Sequence, residues 1–232
     1  MQNVKPYRIK SSTLSNISED YKKEKKERLF SINVKGKDVL KADELRKAFF
    51  NSRDDRYDVF ISYSYKDKDL ALKLAGYIEF FSKGKVFCDY AEWGDYRTLL
   101  KKIDNEFCNH SNGTSYDYDK RNNSTAHIHM LLASSLFQIM TRAKMVIFIT
   151  SDNLIVENDI SEGLMEEETT SPWIYFEYLL ADFLKPKTHT TYDSINEKIQ
   201  LSRDLQVNHK VDISSFDEIT SLDNLISKFK DS

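Results

Sequence analysis

The sequence predicts an α/β fold in three layers, a parallel sheet held between helices, with a helical extension at its N-terminus. Three observations predict it. Short β-branched and aromatic runs recur at residues 57–63, 85–89 and 144–150. Helix-like spacing of apolar residues separates them, and strands alternating with helices close into a parallel sheet with right-handed crossovers. The chain of 232 residues is 40% hydrophobic and 31% charged, with 14 Phe and 13 Tyr. That is enough for one charge-rich globular domain and an appendage.

Residues 1–55 read as the extension and 56–232 as the main domain. In the extension, the run SEDYKKEKKERLF at 18–30 opens with Ser18 and two acidic residues, a helix start. Leu40, Leu45, Phe49 and Phe50 recur at helical spacing, so a second helix there has a face to bury. The segment either packs on the main domain or serves regulation or self-association.

In the main domain, the strand at 57–63 is followed by a helix over 67–81 with Leu70, Leu74, Ile78 and Phe81 on one face. A second strand covers 85–89, and a loop through Trp93 and Gly94 leads to a helix over 96–107. The polar stretch 109–125 reads as an inserted surface loop, followed by a helix over 126–143. KMVIFIT at 144–150 is the most apolar strand, as expected of a central strand buried on both faces. An acidic loop over 157–170 precedes a helix over 173–184, announced by Ser171 as cap and Pro172 in the first turn. A weaker strand at 210–213 and a helix at 222–229 end the chain. Residues 188–199 fit strand, helix or loop.

Bulk properties exclude several classes. A net charge of −3 gives no global field for a nucleic acid or an anionic membrane. Apolar runs fall far short of the roughly 20 residues of a membrane span, and MQNVKPYRIK lacks the apolar stretch of a secretory signal. Cys88 and Cys108 form neither a disulfide framework nor a zinc pattern. A cytoplasmic location is expected.

In a parallel sheet, ligands sit outside the carboxyl ends of the strands. Three loops leave that edge: 62–67, 89–95 and the segment from Ser151 onward. Tyr63, Tyr65 and Trp93 are interleaved there, which suits the stacking of a flat ring.

Three blocks at these places resemble a known family. YDVFISYS at 57–64 with Lys66-Asp67 resembles the opening strand and loop of TIR domains. VFCD at 86–89 and the loop around Gly94 resemble their second strand and mobile loop. Residues 143–151, followed by SPWIYFE at 171–177, resemble their third strand and Ser-x-Trp-x-x-x-Glu helix. The resemblance covers about 57–184 and implies a flavodoxin-like order of strands. It further implies a prokaryotic enzyme that cleaves the nicotinamide–ribose bond of NAD, as glycohydrolase or ADP-ribosyl cyclase. Such proteins produce an immune signal or deplete NAD in antiphage defence.

By the same resemblance Glu177 is the catalytic carboxylate, with Trp173 one helical turn before it. Tyr63, Ser64, Tyr65, Lys66, Trp93 and Trp173 would bind the substrate, Trp93 by stacking on a base from a mobile loop. NAD is substrate, and neither cofactor nor metal is expected. Partners would be other copies, through TIR–TIR contacts, and a downstream effector that senses the product. Without chemistry, the chain would be a TIR adaptor or host-directed effector working through the same contacts.

Other polar clusters carry less. His127 and His129 lie two apart, on different faces of a helix, so a metal site is not expected. Asp104 and Glu106 have no His beside them, and Glu166, Glu167 and Glu168 read as a solvated loop. Asp67 and Lys66 are equally well explained as capping and solvent-facing residues.

Overall fold

The computed structural model describes residues 4–25, 41–50, 56–110, 115–160, 164–185 and 207–231. The central sheet has five strands: β1 (Lys5–Lys10), β2 (Val59–Ser62), β3 (Val86–Phe87), β4 (Met145–Thr150) and, last in the chain, β8 (Asp217–Ile219). Their spatial order is β3-β2-β4-β1-β8, and every pairing is parallel. Side chains alternate across it as a pleat requires. Phe60, Phe87, Val146 and Phe148 enter one core. Val59, Ile61, Val86, Met145, Ile147 and Ile149 enter the other.

Helices cover both faces. The first core is closed by α1 (Ala42–Phe49), α4 (Tyr96–Phe107), α5 (Tyr118–Met140) and α6 (Pro172–Leu184), and the second by α2 (Lys68–Ser82) and α7 (Leu222–Lys230). The short α3 (Asp89–Glu92) joins β3 to α4. This is the three-layer α/β architecture expected, in the flavodoxin-like order 2-1-3-4-5. β2, β3 and β4 supply the first three strands of that order and β8 the last.

The fourth place is filled from the opposite end of the chain, which corrects the expected boundary at residue 55. β1 lies between β4 and β8, with Lys5 opposite Met145 and Lys10 opposite Thr150. Tyr7 and Ile9 are buried while Lys5 and Lys10 are exposed. The pattern is weak in sequence because only alternate residues are apolar and Pro6 interrupts it. Pro is tolerated near a strand's start but argues against a central strand. α1 forms where expected, and Leu45, Phe49 and Phe50 join the first core. At Ser18 the expected helix is a single 3-10 turn, Glu19–Tyr21, after which Lys22 is extended. Residues 26–30 of that run lie outside the described residues, as do 188–199.

Two loops differ as well. α5 begins at Tyr118, eight residues before the expected start, because Asp117 caps it by accepting from Lys120 N at 3.0 Å. Its polar first turns anchor through Ser124 Oγ and Arg121 Nε, which donate to the buried Asp104 at 2.6 and 3.2 Å. The acidic segment is a hairpin of β5 (Val156–Ile160) and β6 (Leu164–Thr169), extended by β7 (His209–Val211) into an antiparallel sheet. A glutamate-rich strand is poor in β-propensity. What places it is pairing with β7, 40 residues away in the chain, a contact invisible to local pattern. Glu168 Oε2 accepts from Asn208 Nδ2 at 2.8 Å and Glu167 Oε2 from Ser214 N at 3.0 Å.

Candidate functional site

β2 leads to β3 on one side of the sheet, and the chain then crosses to β4 on the other. The carboxyl ends of β2 and β4 therefore flank a topological switch point, where open α/β sheets form their ligand crevice. The loops beyond them are tied together. Asp67 is buried and accepts from Ser151 Oγ at 2.5 Å and from Asn153 Nδ2 at 2.8 Å. It is thus a buried brace between two loops, not a solvent-facing cap.

Glu177 reaches this crevice from α6. Ser171 caps that helix by accepting from Ile174 N at 3.4 Å, and Pro172 occupies the first turn, where its missing N–H costs nothing. Glu177 follows by a turn and a half and is 9% exposed. The last residue of β2, Ser62, donates its hydroxyl to Glu177 Oε2 at 2.5 Å. Burial pushes the Glu177 carboxyl up to about 8, the Ser62 hydrogen bond opposes this, and Asp89 adds to it.

Asp89 opens α3 at the carboxyl end of β3. Its Oδ1 accepts from Tyr90 N at 2.6 Å and from the Tyr63 hydroxyl in a short hydrogen bond. Burial raises the Asp89 carboxyl. The Tyr63 hydroxyl also accepts from Tyr90 N at 3.3 Å and from Cys88 Sγ at 3.4 Å. Burial, with Asp89 beside it, pushes Tyr63 well above its ordinary value, and it pushes the Cys88 thiol up to about 12. A thiol so raised is no nucleophile at neutral pH. The group is a hydrogen-bonded unit, and its Tyr63 and Asp89 line the cavity.

These elements enclose a cavity of about 470 Å³, within the usual range for small-molecule sites. All seven residues singled out in the sequence line it: Tyr63, Ser64, Tyr65, Lys66, Trp93, Trp173 and Glu177. Trp173 is half-buried at the wall. Its Nε1 donates to the Tyr96 hydroxyl at 3.3 Å, and its ring meets His129 edge-on at 5.0 Å. Tyr65 is exposed, with Lys68 and Arg97 over its ring at 4.9 and 5.0 Å. Lys66 is exposed at the rim.

Trp93 differs from the base-stacking residue of a mobile loop that was expected. It is 5% exposed and packs edge-to-face on Phe50 at 5.1 Å and Phe87 at 4.7 Å. It forms fixed wall. Gly94 follows with φ +73°, a left-handed conformation that favours glycine, and Asp95 then caps α4 by accepting from Arg97 N at 2.9 Å.

Sequence reasoning missed several cavity residues. Asp89 had a signal, since it stands directly after a strand at the carboxyl edge. Tyr96 and Arg97 sit on a helix start with no distinguishing pattern, and Phe50 comes from the N-terminal region. His129, dismissed as a metal ligand, serves as an aromatic neighbour of Trp173, and burial lowers its imidazole. Among the described residues no group of three His, Cys, Asp or Glu side chains could hold a metal ion, and no helix is long and apolar enough to cross a membrane. No family model, curated protein or solved structure matches the chain.

Proposed function

We propose that this chain cleaves the nicotinamide–ribose bond of NAD, as a glycohydrolase or ADP-ribosyl cyclase, with Glu177 as the carboxylate beside the reacting ribose. One observation carries the reading. A buried carboxylate held by a strand hydroxyl faces an aromatic-lined cavity at the switch point of a parallel sheet. The TIR-like blocks at 57–64, 86–89 and 171–177 are the blocks that line it.

The chemistry follows from charge. When the glycosidic bond breaks, its electron pair goes to the pyridine nitrogen and nicotinamide leaves neutral. Positive charge develops on the ribose, where a carboxylate fixed in a poorly hydrated site stabilises it. Water then adds to the anomeric carbon and gives up a proton, or a nitrogen of the adenine adds and closes a ring. Burial raises the Glu177 carboxyl to about 8, so at neutral pH it holds a proton. The cationic pyridinium favours the ionised carboxyl, so NAD binding and loss of that proton are coupled. Self-association and an immune role belong to the same proposal through the TIR resemblance.

The test is incubation of the purified chain with NAD over a range of protein concentrations, with nicotinamide and ADP-ribose products separated by chromatography. Nicotinamide release that rises with protein supports the reading, and the accompanying product distinguishes hydrolase from cyclase. Binding of NAD without release, or neither at any concentration, overturns it in favour of a nucleotide sensor or a TIR adaptor.

A further inference from the structure

Beyond β1 the chain runs as a strap across the outer side of α2. Tyr21 packs edge-on against Tyr77 at 5.6 Å and Phe80 at 5.2 Å. Its carbonyl crosses α2 so closely that a Cβ on Gly76 would lie 1.6 Å from it, so only glycine fits there. Lys23 N donates to Leu72 O at 3.0 Å, and the Lys73–Glu19 and Lys22–Asp69 pairs flank the crossing at 2.5 and 2.9 Å.

The strap delivers Lys23 to the outer edge of the sheet. Its side chain is 11% exposed, and its ammonium donates to Val86 O at 2.6 Å and to Glu79 Oε1 at 2.7 Å. Glu79 Oε1 in turn accepts from Val86 N at 3.1 Å. Val86 lies in the edge strand, and these two side chains satisfy the backbone groups it turns away from β2. The same ammonium lies 3.2 Å from Glu92 Oε1, on a side chain 1% exposed whose other oxygen accepts from the Tyr57 hydroxyl at 2.9 Å. Glu92 is the last residue of α3; Asp89, which opens that helix, and Trp93, which follows it, line the cavity.

We propose that Lys23 is a positioning residue for the candidate site: by neutralising Glu92 at the back of α3, it holds Asp89 and Trp93 as the cavity's wall. Taking the Lys23 ammonium away removes compensating charge from beside a carboxylate whose side chain is 1% exposed. The ready relief is for α3 to turn Glu92 toward water, which takes the wall with it. The strap thus joins the N-terminal strand to the site through Lys23, and Lys25 adds a second contact with its ammonium 4.9 Å from the ring of Tyr90 in α3. The kinetic part of the test rests on the proposed NAD cleavage; the structural part does not.

The experiment compares full-length wild type with Lys23→Met, Lys23→Arg and the double variant Lys23→Met/Glu92→Gln. Amide hydrogen exchange is read at residues 88–95 against β4. Lys23→Met is expected to speed exchange at 88–95 by about 10- to 100-fold while leaving β4 unchanged. Lys23→Arg and the double variant are expected to recover at least half of that change on a logarithmic scale. Where NAD is cleaved, KM rises in Lys23→Met with kcat little altered, because only the fraction with a formed wall binds. Uniform acceleration that includes β4, no acceleration at 88–95, or a double variant as open as Lys23→Met would each overturn the proposal. Should Lys23→Met fail to fold, the double variant decides alone: protection within about tenfold of wild type at 88–95 supports the charge-pair role, and its loss refutes it. Absence of nicotinamide release from wild type would sink the functional reading and leave the exchange result to judge Lys23.

Discussion

Replacing Glu177 with Gln is expected to stabilise the fold, and by an amount that depends on pH. The native carboxyl is raised to about 8 from its ordinary 4.5, because its site is poorly hydrated. Between those two values the folded chain keeps a proton that the unfolded chain has released, so native stability falls as pH rises through the window. Each pH unit costs about 1.4 kcal/mol. At pH 7 the accumulated cost is therefore about 3 kcal/mol, and near pH 4.5 it vanishes. Gln has the shape of the protonated acid, can still accept from the Ser62 hydroxyl, and never ionises. Thermal or urea unfolding of both proteins from pH 4.5 to 8 checks this. A chain of this length shifts by about 2–4 °C per kcal/mol, so Glu177→Gln should melt about 6–12 °C higher at pH 7. The two proteins should converge near pH 4.5. A difference that does not change with pH would refute the reasoning, as would a variant less stable throughout.

Three more predictions follow from the same geometry. Because the proposed reaction uses the ionised carboxyl, kcat/KM for NAD should rise about tenfold per pH unit below about 8 and level off above it, given the raised value of Glu177; a flat profile from pH 6 to 9 would remove Glu177 from the mechanism. Ser62→Ala deletes the hydrogen bond that lowers Glu177, so the midpoint of that profile should move to higher pH, and the buried acceptor left behind should cost about 1–3 kcal/mol in denaturant unfolding. Deleting residues 1–25 removes an interior strand of the sheet; far-UV circular dichroism and size exclusion should show no folded monomer, and a folded product of native stability would contradict the position of β1.

Much of the main domain was legible because its elements carry strong local signals. β4 is a continuous apolar run, α2 has one apolar face, and α6 opens on Ser171-Pro172, so periodicity and capping chemistry suffice. What escaped depends on contacts distant in sequence. β1 shows a Pro and alternating charge, and it becomes a central strand only by lying between β4 and β8. The hairpin of β5 and β6 reads as an acidic loop until β7 joins it.

The site divides in the same way. The residues at carboxyl ends of strands, such as Tyr63 and Ser64, and those on the first turns of α6 followed from topology and motif together, and they share one cavity. The environment of each did not follow. Ser62 as partner of Glu177, the packing that fixes Trp93, and the placing of His129 against Trp173 are all set by which helices meet across the sheet.

In the proposed reaction Glu177 stabilises charge on a ribose as nicotinamide leaves. The most direct test of this claim is the rate of nicotinamide release from NAD at pH 8 by wild type and by Glu177→Gln, both shown to be folded and equally associated. Loss of a charge-stabilising group at the reacting centre predicts a fall in kcat of about 100- to 1000-fold or more. Equal rates in the two proteins would contradict the claim and move the chemistry to another residue of the cavity.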